Sequence, residues 1–195
     1  MKKEIYISCD IESDGPIPGP NSLLSIGSAA FIDSELIGTF SANLKQLPDA
    51  KMDVKTKTEF WDKNPIAWEA CRENTEDPIR AMKRYVDWLK GLEQQYNYKV
   101  VFVGYPAGFD FTFIYWYLIK FVNYSPFSFS CIDMKTLSMA IMKKPFRDCT
   151  KRAMPKKWFD EIKAKGLVHS HIALDDAIEQ GYLFCAMMKE IMPQS

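Results

Sequence analysis

At 195 residues the chain is long enough to bury a core without metal or disulfide staples, and one α/β domain over residues 1–195 is expected. Lys plus Arg and Asp plus Glu both number 25, which argues against a protein that coats nucleic acid through a basic surface, though local positive charge is still allowed. Cys9, Cys71, Cys131, Cys149 and Cys185 are odd in number and hold no Cys-x-x-Cys pair, so neither a disulfide framework nor a zinc knuckle is expected, and free thiols in a reducing cytoplasm fit.

Residues 4–10 (Glu-Ile-Tyr-Ile-Ser-Cys-Asp) lack a strict polar face and predict a central strand covered on both sides. A turn-rich stretch follows, with Asp14-Gly15-Pro16 and Pro18-Gly19-Pro20. Residues 23–31 and 35–43 predict two more strands joined by the short Ile32-Asp33-Ser34 turn, which makes the first three strands an antiparallel meander. Residues 44–63 are polar and predict irregular chain. Pro65 suits the first turn of a helix running to Arg72. Asp77-Pro78 opens a longer helix with Ile79, Met82, Tyr85, Val86 and Leu89 on one face.

Residues 100–119 carry a single charge, Asp110, over a length that can span a bilayer. A charge near the midplane costs about 2.5 kcal/mol or more, and Gly104-Tyr105-Pro106-Ala107-Gly108 breaks any continuous helix. The segment therefore predicts a buried strand over 99–103, a tight loop and a core helix over 110–122, with no membrane contact. Tyr115 and Trp116 point off the main face of that helix and offer a homodimer contact. A short strand over 128–132, a helix over 134–142 and a closing helix over 174–192 complete the pattern. Meander first and strands alternating with helices afterwards predict a mixed sheet flanked by helices.

Four acids and one histidine stand out: Asp10, Glu12, Asp110, His171 and Asp176. Strand geometry sends Asp10 and Glu12 to the same face, where two carboxylates repel unless a cation or proton lies between them. Carboxylates ending an apolar strand are costly to bury and often functional. Asp110, at the start of a helix, fits a helix cap as well as a metal ligand. The chain has only two histidines, His169 and His171, and both precede Asp175 and Asp176. A histidine beside metals can act as general base near neutral pH. Asp175 competes with Asp176 as ligand, and spacing favours Asp176.

In this order and on these elements the residues resemble the DEDDh 3′→5′ exonuclease superfamily, whose fold is ribonuclease H-like. Asp10-Ile11-Glu12 is similar to its first motif, Phe109-Asp110 to the second and His171-Ile-Ala-Leu-Asp-Asp-Ala177 to the third. Other details, such as Glu59-Phe60-Trp61, resemble small stand-alone bacterial or phage enzymes. One departure is Tyr105-Pro106, where the family usually has His-Asn. The resemblance implies two divalent cations, Mg²⁺ or Mn²⁺, held by Asp10, Glu12, Asp110 and Asp176. His171 would be the general base, and nucleoside 5′-monophosphates would leave from single-stranded RNA or DNA 3′ ends. Asp133 reads as a supporting residue, since the site is complete without it. A non-catalytic nucleic-acid-binding module that keeps the fold is the rival reading.

Substrate contacts are expected from backbone groups of Ser13, Asp14 and Gly15, and from Trp61 and Phe109, whose rings either stack on a base or pack the core. Residues 143–157 hold seven basic side chains against one acid, Asp148, and offer either a phosphate lane or an ordinary solvated loop. A short chain with no appended domain leans to RNA or short overhangs, with single-stranded DNA the alternative.

Overall fold

The computed structural model describes residues 4–192; residues 1–3 and 193–195 of the expected domain lie outside the described residues. Strands β1 (Glu4–Ser13), β2 (Leu23–Ile32) and β3 (Glu35–Asn43) form the antiparallel meander, with Asp10 opposite Gly27 in the β1–β2 register. β4 (Lys99–Gly104) runs parallel to β1, and β5 (Cys131–Asp133) parallel to β4. The resulting sheet order is β3-β2-β1-β4-β5. This is the mixed sheet that the sequence predicts.

β1 sorts its side chains by period two. Ile5, Ile7, Cys9 and Ile11 enter one core, shared with Met82, Tyr85 and Leu89 of α3 (Pro78–Tyr96) and Phe113, Ile114 and Tyr117 of α4 (Ala107–Val122). The opposite face packs on α7 (Ala173–Met188), where Phe31 and Val103 meet Leu183 and Phe184. Ser8, Asp10 and Glu12 belong to that second face. A buried clamp fixes the contact: the Gln180 Nε2 donates to Ser8 Oγ and to the Cys9 carbonyl, both at 3.1 Å.

Three local predictions need correction. Residues 54–59 are not irregular but form α1 (Val54–Glu59), started by Asp53, whose carboxylate accepts from the Thr56 N–H at 2.7 Å. None of its residues is buried, so it has no apolar stripe to betray it. α4 begins at Ala107 rather than at residue 110, because Asp133 Oδ2 accepts from the Ala107 N–H at 2.8 Å. The closing helix spans Ala173–Met188 and stops short of residue 192. Of the remaining helices, α2 (Pro65–Arg72) contacts β2, α5 (Met134–Met142) contacts β5 and α7, and α6 (Asp160–Ala164) packs on α7.

Among the described residues no helix is long and apolar enough to cross a membrane. The rings expected at a homodimer contact are partly covered within this chain, since Tyr115 leans on Phe111 and Trp116 lies beside Gly19.

Gly27 decides how closely α7 approaches the sheet. A Cβ there would collide with the backbone of Ala173 and Leu174, at the start of α7. Gly27→Ala is expected to lower unfolding free energy by about 1–3 kcal/mol, the usual cost of overpacking, as read from the urea midpoint at constant m. An unchanged midpoint would show that the helix can retreat freely.

Candidate active site

Asp10 and Glu12 stand at the end of β1 on the α7 side, and Asp176 meets them from the first turns of α7. Carboxylate oxygens of these three residues lie within 4.8 Å of one another. Asp110 comes from the opposite face of the sheet, in the first turn of α4, and its Oδ1 accepts from the Ile11 N–H at 3.3 Å. It is therefore tied to the peptide between Asp10 and Glu12. Glu12, Asp110 and Asp176 are 7, 4 and 2 % exposed, so three of these four acids have almost no water to solvate them.

Burial and mutual charge show in the proton affinities. Burial lifts Glu12 to about 9, helped by the charges of Asp176 and Asp110. Asp10 is raised well above the carboxylate range by burial first, then by Asp110, Glu12 and Asp176. Burial also lifts Asp110 to about 7, against the lowering effect of the Ile11 N–H. The Lys151 cation lowers both Asp10 and Asp110, as the smallest of the effects on each.

Asp176 behaves differently. Burial would raise it, but hydrogen bonds from its own loop outweigh burial and hold it below the ordinary value. Its Oδ1 accepts from the Ser170 N–H at 2.8 Å, and its Oδ2 from the His171 N–H at 3.0 Å, with His169 Nδ1 also 3.0 Å away. Among the described residues Asp175, the competing candidate, accepts from Ser170 Oγ alone, at 3.2 Å. His171 takes a left-handed backbone, φ 58°, and its ring packs edge-on against Phe60, with centroids 5.1 Å apart. Burial and then the neighbouring His169 push its pKa below the usual 6.5.

A cluster of buried, mutually repelling oxygens suits hard divalent cations such as Mg²⁺ or Mn²⁺, which take carboxylate ligands. The residues fit that use because, among the described residues, no Lys or Arg forms an ion pair with Asp10, Glu12 or Asp176, and burial raises the proton affinity of Asp10 and Glu12. A second overlapping group, His169, His171 and Asp176, also has ligand atoms within 4.8 Å of one another.

Asp133 serves two helix starts at once, accepting from Ala107 N–H and, through Oδ1, from Thr136 N–H at 2.6 Å. Phe109 is 39 % exposed beside Asp110, with its ring set edge-on to Phe113. Trp61 is 3 % exposed, and its Nε1 donates to the Ser13 carbonyl at 3.0 Å, so the ring braces the end of β1 and has no face to stack on a base. The turn after Glu12 is likewise internal. Asp14 accepts from Ser22 N–H and from Gln46 Nε2, its carbonyl accepts from Asp53 N–H at 2.8 Å, and Ser13 Oγ donates to the Gly15 carbonyl at 2.8 Å. Those bonds hold the turn's shape beside Glu12.

His169 and Phe60 were not among the expected site residues. His169 carried a usable signal, since it shares the His-Ser-His segment, whereas Phe60 lies 111 positions from His171 in a polar stretch that reveals nothing about its neighbour.

No family model matches this sequence. An Escherichia coli protein named 3′-5′ DNA exonuclease Cap18 is 31 % identical over 192 residues, covering 93 % of this chain and 90 % of that one. Among solved structures, the nuclease domain of 3′hExo, described as a DEDDh family member bound to rAMP, superposes with a TM-score of 0.68 at 12 % identity, over 97 % of this chain and 94 % of that one. Escherichia coli exonuclease I in complex with a dA16 oligonucleotide gives 0.66 at 13 % identity, over 97 % of this chain and 42 % of that one.

The raised carboxylates set a stability prediction for the protein kept free of divalent cations. A folded-state pKa above the unfolded one means that folding takes up protons, so stability is full below the unfolded pKa and lost as pH rises through the folded one. For Glu12 that window runs from 4.5 to about 9, and for Asp110 from 3.8 to about 7. The metal-free melting temperature should fall from pH 5 to pH 8, and Glu12→Gln should flatten the fall. Asp176→Asn should instead lower stability, because it disturbs bonds from Ser170, His171 and His169. Differential scanning calorimetry in EDTA reads both; a Glu12→Gln melt that keeps the full pH slope would contradict the burial argument.

Proposed function

We propose that this chain, which belongs to the DEDDh family of 3′→5′ exonucleases, hydrolyses single-stranded ends with Asp10, Glu12, Asp110 and Asp176 holding two divalent cations and His171 taking the proton from water. The chain is a 3′→5′ exonuclease acting on nucleic acid. The observation that carries the residue assignment is the convergence of Asp10, Glu12 and Asp176 within 4.8 Å, with Asp110 tied to the peptide between the first two.

Divalent cations, when bound, acidify water and stabilise charge on the attacking and departing oxygens. Mg²⁺ and Mn²⁺ both suit the oxygen set. The protein's own part is orientation and proton transfer. His171 is suited to accept a proton at neutral pH because burial keeps its imidazole uncharged there. Its backbone N–H bonds to Asp176, and Phe60 packs against its ring, so the base is held beside a carboxylate of the cluster. Phe109 offers its exposed ring to the terminal base. The released product is a nucleoside 5′-monophosphate.

The sequence reading leaned to RNA. The curated relative at 31 % identity is named a DNA exonuclease, and that moves the proposed substrate to single-stranded DNA.

His171→Ala should reduce kcat by about a hundredfold or more while metal affinity stays within a few-fold, the usual range for a lost general base. His169→Ala should cost far less. In the unaltered enzyme, kcat should decline with falling pH below the His171 pKa, since protonation removes the base; that limb should vanish in His171→Ala. A crippled His169→Ala beside a near-normal His171→Ala would reverse the assignment. For substrate class, matched DNA and RNA oligonucleotides competing at equal concentration should show DNA favoured by tenfold or more, about 1.4 kcal/mol in transition-state free energy. Equal rates, or RNA ahead, would overturn the DNA reading and leave the site untouched.

A further inference from the structure

The segment between α5 and α6 has a two-sided construction that the carboxylate site does not explain. Its inward positions are Cys149, Met154 and Trp158, all buried, and Trp158 Nε1 also donates to Glu190 Oε1 at 3.1 Å. The outward positions are basic. Lys143, Lys144, Arg147, Arg152 and Lys156 are exposed, and among the described residues none of these five makes an ion pair. Lys157 is paired with Glu190 at 2.5 Å, and Asp148 is the segment's single acid. Phe146 stands among the free cations with 45 % of its surface exposed, and Lys135 Nζ lies 4.4 Å from its ring centre.

Two pins fasten this lobe to the carboxylate site. Tyr105, five residues before Asp110, donates its hydroxyl to the Cys149 carbonyl at 2.8 Å. Lys151 Nζ lies 2.7 Å from Glu179 Oε2, one turn beyond Asp176 on α7, and 5.9 Å from the Tyr105 ring. Lys151 is also the cation whose charge reaches Asp10 and Asp110. The lobe is therefore fastened to the site at Cys149 and Lys151 and carries exposed, unpaired positive charge on its outer positions. Neutralising such charge needs anions at repeated spacing, which a single-strand backbone supplies, and an exposed aromatic among them provides a surface for a base.

We propose that residues 143–157 form the surface that binds the phosphodiester backbone upstream of the scissile bond, with Lys143, Lys144 and Arg147 contacting phosphates and Phe146 stacking on a base. The proposal rests on the exonuclease reading and gives that site its strand-binding half. It takes RNA or DNA alike, because the contacts are to phosphates and to the flat face of a base.

The test compares the unaltered protein with Lys143→Ala/Lys144→Ala/Arg147→Ala, whose positions are all exposed. Binding of a labelled single strand of about 15 nucleotides is followed by anisotropy in EDTA across a KCl series, at roughly 0.7 counterions released per single-strand phosphate contact. The slope of log affinity against log salt should become shallower by about 2 in the triple variant. Cation-dependent hydrolysis of a dinucleotide, whose one phosphodiester is the scissile one and leaves no upstream phosphate for the lobe, should stay within twofold. An unchanged salt slope, no measurable binding by the unaltered protein, or a parallel loss on the dinucleotide would each overturn the proposal. A dinucleotide untouched by the unaltered enzyme, with the slope change present, would count against the catalytic reading alone. Phe146→Ala provides the second arm: weaker binding at an unchanged salt slope is expected, and no weakening removes the stacking contact.

Discussion

Mutual repulsion among buried carboxylates is the constraint around which this structure is arranged. Asp10 and Glu12 are forced to one face by strand geometry, Asp176 is brought over them by α7, and Asp110 reaches the same peptide from the other side of the sheet. Left with protons alone, Glu12 rises to about 9. Such a cluster destabilises the fold unless cations occupy it, so the surrounding scaffold must hold it together. Much of the scaffold near the site can be read as doing that: Gly27 lets α7 descend onto β2, Gln180 clamps α7 to β1, and Asp133 fixes the start of α4.

Asp176 resolves the same constraint by other means. Three donors from residues 169–171 keep it ionised although it is buried. Its loop is thereby folded around the carboxylate, and His171 is delivered beside the cluster as a consequence of that folding. The proposed base and one proposed metal ligand are thus positioned by one set of hydrogen bonds, and a change at either is expected to be felt at the other. Tyr105 and Lys151 extend the arrangement outward by joining the carboxylate site to the basic lobe.

The site was legible in the sequence wherever local periodicity and short spacing carry the information. Two carboxylates two apart in an apolar strand, or a histidine five positions before an aspartate in a helix, follow from geometry that the chain itself specifies. Asp133 was also readable as a support, because the set of four carboxylates is complete without it, and it caps the starts of α4 and α5. What stayed hidden depends on contacts distant in sequence. Trp61 looked available because its neighbours are polar, yet its indole is buried under β1 through a bond to Ser13, 48 positions away. The bonds of Asp14 in the following turn are hidden in the same way, since its partners Ser22, Gln46 and Asp53 lie 8 to 39 positions away. α1, with no apolar face, gives no periodic signal at all.

The central claim is that Asp10, Glu12, Asp110 and Asp176 hold the cations, rather than the overlapping group of His169, His171 and Asp176. Crystals grown with Mn²⁺ and measured at the manganese absorption edge test it directly. The account predicts anomalous peaks within coordination distance of Asp10 and of the other three carboxylates. A peak held by His169, His171 and Asp176, with Asp10 and Glu12 left without metal, would contradict it.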